Sequence, residues 1–419
     1  MADNKQNKNP NVPNLSFKRE QSETCFDSAE RVINQKQNVP NLRFPEFTED
    51  WVQYNLSDCS YFRSGKINTS ELDANNYIST ENMLQNFQGI SIANSIPDNI
   101  NVTSFKEGDI LISNIRPYLK KVWQADRNGG CSADVFVLKA NNTICSDCFL
   151  HYLIANDTFI NFVMSGAKGV KMPRGDKKQM VTYNIGIPPV KEQNKIVSLL
   201  SLLDNRIETQ NKIIEDLKKL KVAITQKISK DKSNKKVMLS ELLTERCEKN
   251  KDLYPVHSVS VSEGIINQID YLGRSFAAND ISNYNVVYYG DIVYTKSPTG
   301  DFPYGIVKMN SINAKVSVSP LYGVYHPSSE YVGIYLHNYF SNSLNAKNYL
   351  HKLIQKGAKN TINITNKRFL ENEISLPNEA LLKEYSLFIS TFDLKIKSEQ
   401  KALLLLQKQK EYLLQQMFI

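Results

Sequence analysis

The stretch Val190-Lys-Glu-Gln-Asn-Lys-Ile196-Val-Ser-Leu-Leu200-Ser-Leu-Leu203-Asp-Asn-Arg-Ile207, continuing through Gln210, Ile214, Leu217, Lys221 and Ile224 to Ile228, decides how this chain is organised. Its apolar residues recur at alternating steps of four and three, the seam of a coiled-coil helix. Adding 189 to each seam number gives Tyr385, Ile389, Phe392, Ile396, Glu399, Leu403, Leu406, Lys410, Leu413 and Met417. The polar interruptions fall at the same two places. Two helices that share their seam defects are expected to pair with each other, antiparallel, with a domain between them. At 1.5 Å per residue each rod is roughly 58 Å long.

Working outward, the chain between the helices retraces the chain before them. Leu239-Ser240-Glu241 stands where Leu56-Ser57-Asp58 stood, and Gly290-Asp291-Ile292-Val293-Tyr294 where Gly108-Asp109-Ile110-Leu111-Ile112 stood. Each Gly-Asp pair reads as a turn into a short buried strand, and 131–138 reads as another strand. Helical periodicity covers 149–163 and 332–354. Glycine-punctuated loops follow, Gly166-Ala-Lys-Gly-Val170-Lys-Met-Pro-Arg174-Gly-Asp-Lys-Lys178 and Gly357-Ala-Lys-Asn360-Thr-Ile-Asn363-Ile-Thr365. Short strands ending at Pro188 and Pro377 then lead into the long helices. A repeat of roughly 190 residues is far longer than a solenoid unit. It is a duplicated domain plus helix.

The expected fold is therefore α+β, with two tandem domains of mixed structure separated by two long helices pairing as an antiparallel coiled coil, a pseudo-twofold internal repeat. The expected boundaries are a disordered polar leader at 1–36, a first domain at 37–189, a central spacer helix at 190–236, a second domain at 237–378 and a C-terminal spacer helix at 379–419. The leader carries Asn11-Val-Pro-Asn-Leu15, which returns as Asn38-Val-Pro-Asn-Leu42.

Composition narrows the function. With 419 residues, 41% hydrophobic and 22% charged, the chain has the make-up of a globular protein rather than a disordered one. A net charge of +8 is compatible with a polyanionic partner. No apolar run approaches the roughly 20 residues that span a bilayer, and the first 36 residues hold no apolar signal core, so a cytoplasmic location without membrane contact is expected. The six cysteines show no framework spacing. Cys145-x-x-Cys148 with His151 lacks the second pair that a structural zinc site requires, and no metal is expected.

Catalytic parts are absent. Ser64-Gly65-Lys66-Ile67 lacks the first glycine and the hydroxyl residue of a phosphate loop, and there is no Gly-x-Gly-x-x-Gly or Gly-x-Ser-x-Gly. No Asn/Asp-Pro-Pro-aromatic tetrapeptide is present, and the histidines are scattered. The chain is expected to catalyse nothing alone. Basic residues do recur on loops at matching places in both halves. The DNA-binding candidates are Lys66, Arg116, Tyr118, Lys120, Lys168, Lys171, Arg174, Lys177 and Lys178 in the first domain. Those in the second are Arg274, Lys296, Lys356, Lys359, Asn360 and Asn363. Glycine lets a backbone approach a phosphate, and asparagine suits bidentate contact with adenine.

Several of these stretches together resemble the specificity subunit of bacterial type I restriction-modification systems. The carriers are Asn41-Leu-Arg43-Phe-Pro-Glu-Phe47, both Gly-Asp-Ile turns, the Gly166 to Asp176 loop, Ile187-Pro188-Pro189 before Glu192-Gln193, and Tyr294-Thr-Lys-Ser-Pro-Thr-Gly-Asp-Phe-Pro-Tyr-Gly-Ile306. The resemblance implies a non-catalytic subunit with two target-recognition domains that reads a bipartite, asymmetric site on double-stranded DNA. It implies two methyltransferase subunits and two motor-nuclease restriction subunits as partners. S-adenosylmethionine, ATP and magnesium would sit on those partners and no cofactor on this subunit. The segment before residue 37 departs from the family pattern, in which the chain begins near Asn-Val-Pro-Asn-Leu. The competing expectation is a coiled-coil protein-interaction scaffold without direct DNA readout.

Overall fold

The computed structural model of the protein describes residues 38–274, 277–356 and 362–419; the leader anticipated over 1–36 lies outside them. Each half is built on its Gly-Asp turn. Gly108 adopts φ +86° and Gly290 φ +84°, left-handed conformations that glycine reaches without strain. The following carboxylate folds back on the turn. Asp109 accepts the Lys106 N–H at 2.7 Å, and Asp291 accepts the Tyr288 N–H at 2.8 Å. Both carboxylates are fully buried, and each is met by an arginine. Arg63 Nε donates to Asp109, while Arg246 donates to Asp291 through two N–H groups at 2.7 and 3.1 Å.

The strands that leave these turns are interior strands of matching sheets. In the first half the antiparallel order is Ser60–Phe62, Val135–Ala140, Ile110–Ser113, Val122–Gln124. In the second it is Leu243–Glu245, Gly323–Pro327, Ile292–Thr295, Ile306–Met309. In both halves the strand that leads into a long helix pairs with the strand that opens the domain: Asn184–Ile187 with Val52–Asn55, and Glu373–Leu376 with Lys235–Met238. The halves diverge elsewhere. The first adds a four-stranded sheet that includes Lys66–Asn68 and Asn101–Phe105; the second has two-stranded pairs such as Asn285–Val287 with Val316–Val318.

Three expectations are corrected. The helix at 149–163 is two helices, Asp147–Ile154 and Asp157–Ser165, because Asn156 accepts the Thr158 N–H at 3.0 Å and starts a new helix. Asn342 does the same between Glu330–Ser341 and Ser343–His351, accepting the Asn345 N–H at 3.1 Å. The strand at 131–138 is two strands in different sheets, Gly129–Cys131 and Val135–Ala140, separated by a turn closed by the Val135 N–H on the Ser132 carbonyl at 3.0 Å.

The long helices run Val190–Ser229 and Glu379–Met417. No seam position of either helix is exposed. Gln210 donates to the Glu399 carbonyl at 3.1 Å and to its carboxylate. On either side of that contact, Lys221 pairs with Asp393 at 2.6 Å and Lys410 with Asp204 at 2.5 Å. Partner numbers fall as residue numbers rise, so the helices run antiparallel. The polar seam residues thus do not stack like with like: each lysine meets an aspartate that sits beside the seam.

The ends of the helix pair are embedded in the two domains. Ile196 and Leu200 from the central helix and Leu414 and Met417 from the last join one core with Trp51, Ile112 and Phe149. Leu382, Tyr385 and Ile389 join the other core with Tyr325, Tyr335 and Phe369, and Ile224 and Ile228 pack on it. A segment ahead of the first strand straps the first end. Arg43 donates to both oxygens of the buried Glu192 at 2.8 Å each, Lys195 pairs with Glu46, and the Leu42 N–H meets the Gln416 carbonyl at 2.9 Å.

The buried pairs make a direct prediction. Arg246→Met leaves the Asp291 carboxylate buried without its cation, and urea unfolding of the full chain should show a loss of about 3 to 5 kcal/mol. A loss below about 1 kcal/mol would assign the turn's stability to its backbone alone.

Candidate nucleic-acid interface

Two stretches of the first domain that lie some fifty residues apart in sequence are joined in space. After the strand Ile110–Ser113, the backbone turns through the short 3-10 helix Pro117–Leu119, flanked by Arg116 at φ 50° and Lys120 at φ 54°. Left-handed conformations of non-glycine residues cost about 1 to 3 kcal/mol each and persist only where the surroundings hold them. Here the Arg116 N–H donates to the Pro173 carbonyl at 2.8 Å and the Gly175 N–H to the Asn114 carbonyl at 3.0 Å. From the other side the Asn86 and Phe87 N–H groups bind the Leu119 and Lys120 carbonyls at 3.1 and 2.9 Å.

The second stretch is a hairpin. Lys168 and Arg174 exchange backbone hydrogen bonds of 3.0 and 2.9 Å, and Gly169 turns the chain at φ +96°. Lys168 Nζ lies 3.3 Å from Asp176, whose other oxygen caps the short helix Lys177–Met180 by accepting the Lys178 N–H at 2.9 Å.

The candidate cations separate into two groups on this frame. Arg116, Lys171 and Lys178 are exposed and form no ion pair among the described residues, and Tyr118 is exposed beside them. Lys168 is exposed with only its loose contact to Asp176. The others are engaged by the protein. Lys120 pairs with Asp157 at 2.8 Å and Arg174 with Asp134 at 3.4 Å. Lys177 lies over the rings of Phe62 and Phe136, 4.9 and 4.5 Å from their centroids. Lys66 stands on a different sheet, 3.3 Å from the Thr103 hydroxyl.

In the second domain Lys296 follows the strand Ile292–Thr295 and is exposed, in the position that Asn114 holds after its own strand. Its loop returns through Gly305 at φ +108°, where a Cβ would stand 2.0 Å from the Thr295 carbonyl oxygen. Only glycine fits there. Gln355–Lys356 pairs with Ile362–Asn363, a hairpin at the place matching Lys168 and Arg174, so Lys356 and Asn363 lie on its paired strands. Lys359 and Asn360 lie outside the described residues. Arg274 is exposed after the helix Gln268–Leu272 and is not part of that hairpin. Away from these loops, Cys145 is in the first core while Cys148 faces solvent, so the Cys-x-x-Cys pair does not converge.

Attention to charge alone passed over Val170 and Met172, which the hairpin holds exposed between its lysines. The legible signal was two apolar residues alternating with lysines in a glycine-rich loop.

Residues 48–219 match the family described as Type I restriction modification DNA specificity domain. The match takes in the sheets of the first half and most of the helix Val190–Ser229. It is 35% identical over 102 residues to the type I restriction enzyme MjaVIII specificity subunit of Methanocaldococcus jannaschii, covering 24% of each chain. It is 30% identical over 112 residues to the EcoDI specificity subunit of Escherichia coli, 27% of this chain and 24% of that one. With the HindI specificity subunit of Haemophilus influenzae it shares 28% over 183 residues, 42% of this chain and 40% of that one. The chain thus spans between 24% and 40% of the length of the curated relatives it matches. Among solved structures, the type I restriction-modification S subunit from M. genitalium shares its fold at a TM-score of 0.55 and 14% identity, over 91% of this chain and 99% of that one. A chain from a structural study of complex assembly and conformational transition in the type I R-M system matches at 0.50 and 15%, over 87% and 96%. Among the described residues no helix is long and apolar enough to cross a membrane.

The division of the cations sets an expectation for DNA. Lys168→Ala combined with Lys171→Ala should lower the slope of log affinity against log salt by about 1.8, two phosphate contacts' worth. Lys120→Ala should leave the slope unchanged, since Asp157 already neutralises that lysine. Equal effects from both variants in a binding titration would contradict the division.

Proposed function

We propose that this chain is the DNA-reading subunit of a type I restriction-modification assembly, recognising a bipartite and asymmetric site while its partners perform the chemistry. The observation that carries the reading is the placement of two domains of matching strand order at opposite ends of one antiparallel helix pair. On this reading the pair is an antiparallel coiled coil and the molecule is pseudo-twofold. Rods of about 60 Å are long enough to separate half-sites by one helical turn of DNA, roughly 34 Å, or more. The loops at 114–121 and 166–178, and the counterpart at 296–305 in the second domain, face the two half-sites. Because the loops differ in sequence, the half-sites differ too.

Partner binding falls to the helix surfaces away from the seam. Leu202, Ile213 and Leu220 are exposed on the central helix at spacings of eleven and seven, which place them on one face. Leu387, Leu394 and Leu405 do the same on the last helix. Apolar rows of this kind on both rods suit two methyltransferase subunits, with motor-nuclease subunits completing the assembly. S-adenosylmethionine, ATP and magnesium belong to those partners. The chain itself contributes position and sequence selection in the cytoplasm and turns nothing over.

The test is methylome sequencing of cells that carry this chain with its partners, where a methylated motif of two unequal parts around an unread gap is expected. Inserting one heptad into each long helix, beside Gln210 and Glu399, adds about 10.5 Å. The gap should then lengthen by about 3 base pairs. An unchanged gap would show that the helices do not set the spacing, and a motif without a gap would overturn the bipartite reading.

A further inference from the structure

Val170 is fully exposed in the loop 169–173 of the hairpin that Lys168 and Arg174 close. A lone apolar residue on a surface is ordinary. What sets this one apart is the support beneath it. The hairpin is closed by its own two backbone bonds and tied to the neighbouring turn by the Arg116 to Pro173 and Gly175 to Asn114 bonds. Those bonds fix where the loop that carries Val170 stands on the surface. Lys168 and Lys171 stand on either side of Val170 in the chain, and Met172 is exposed next to them.

We propose, resting on the DNA-reading function above, that Val170 is a base-reading residue that packs on the C5 methyl group of a thymine in the major groove. The order of surfaces matches that ligand. A duplex groove offers phosphates at its rim and base edges at its floor, and this hairpin loop offers Lys168 and Lys171 with the exposed Val170 between them in the chain. The major groove, about 12 Å wide, admits a two-stranded ribbon, and the apolar group on its floor is the thymine methyl. Minor-groove wedges that kink DNA use longer side chains such as Phe, Leu, Ile or Met. Valine is short and stiff about its single side-chain torsion, which suits a fixed contact rather than insertion. A protein partner fits less well, because charged residues such as these lysines are depleted from the cores of protein interfaces. At the corresponding sequence positions the second loop carries Lys359, Asn360 and Thr361. Thr361, which stands where Val170 does, keeps one methyl group of the valine and adds a hydroxyl, so the two loops differ in polarity at this position.

The test uses the full chain with its methylating partner on duplexes that contain its mapped recognition sequence. Each thymine is replaced in turn by deoxyuridine, which lacks only the methyl group, and affinity is measured for the native chain and for Val170→Ala. At one thymine of one half-site the native chain should lose roughly fourfold, the worth of one buried methyl group. Val170→Ala should lose a similar factor on the thymine duplex, lose nothing further when that thymine becomes deoxyuridine, and keep its salt slope. Losses that multiply independently at every thymine, or an unweakened Val170→Ala, would overturn the assignment. A shuffled-sequence duplex separates the two readings. If the native chain fails to discriminate against it, the DNA-reading function falls; if it discriminates without coupling between Val170 and a thymine, only the present inference falls.

Discussion

The structure depends on the register of its two long helices, and that register is held by a reciprocal pair of charges. Asp204 with Lys410 and Asp393 with Lys221 are the same two residue types exchanged between helices, placed on either side of the Gln210 to Glu399 contact. An apolar seam alone tolerates sliding by a heptad, because one leucine packs much like the next. A slide here would set lysines against leucines and leave the aspartates beside the seam without cations. The ion pairs therefore act mainly against alternatives, and their worth lies in excluding other registers more than in adding stability. Everything outside the helices inherits its position from that choice, since both domain cores are built partly from helix residues.

Within each domain a similar economy recurs at smaller scale. The Gly-Asp turn commits the backbone, and a half-buried arginine then locks the buried carboxylate that the turn has placed. In the first domain the strand that begins at this turn ends at the strained Arg116 to Lys120 segment, so the locked turn and that segment stand at opposite ends of one strand of a four-stranded sheet. Lys120, Arg174 and Lys177 are taken up by Asp157, Asp134 and the Phe136 ring around that segment. Arg116, Lys171 and Lys178 remain available because their neighbours do the holding.

Much of this was legible in the sequence. The seams were, because alternating steps of three and four arise from packing itself, and none of those positions is exposed. The Gly-Asp turns were legible because only glycine takes that conformation at no cost. Asp204 and Asp393 were not, because they flank the seam and their partners lie on the other helix. Nor could the sequence separate Lys120 from Lys171. Both are lysines on basic loops, and only the fold brings Asp157 to one of them. The single helix read over 149–163 followed from a period that continues across Asn156 while the backbone does not.

The first core unites Trp51 with Leu414 and Met417, and Asn156 donates to the Leu414 carbonyl at 3.3 Å. That arrangement has a consequence for synthesis. Domains made early on the ribosome commonly fold before the rest of the chain appears. This one lacks part of its interior until residue 417 has been made. The second core, completed by Ile224, Ile228 and the opening turns of the last helix, has its parts first. The domain translated first is thus the last to close, and the strap of Arg43 on Glu192 waits with it.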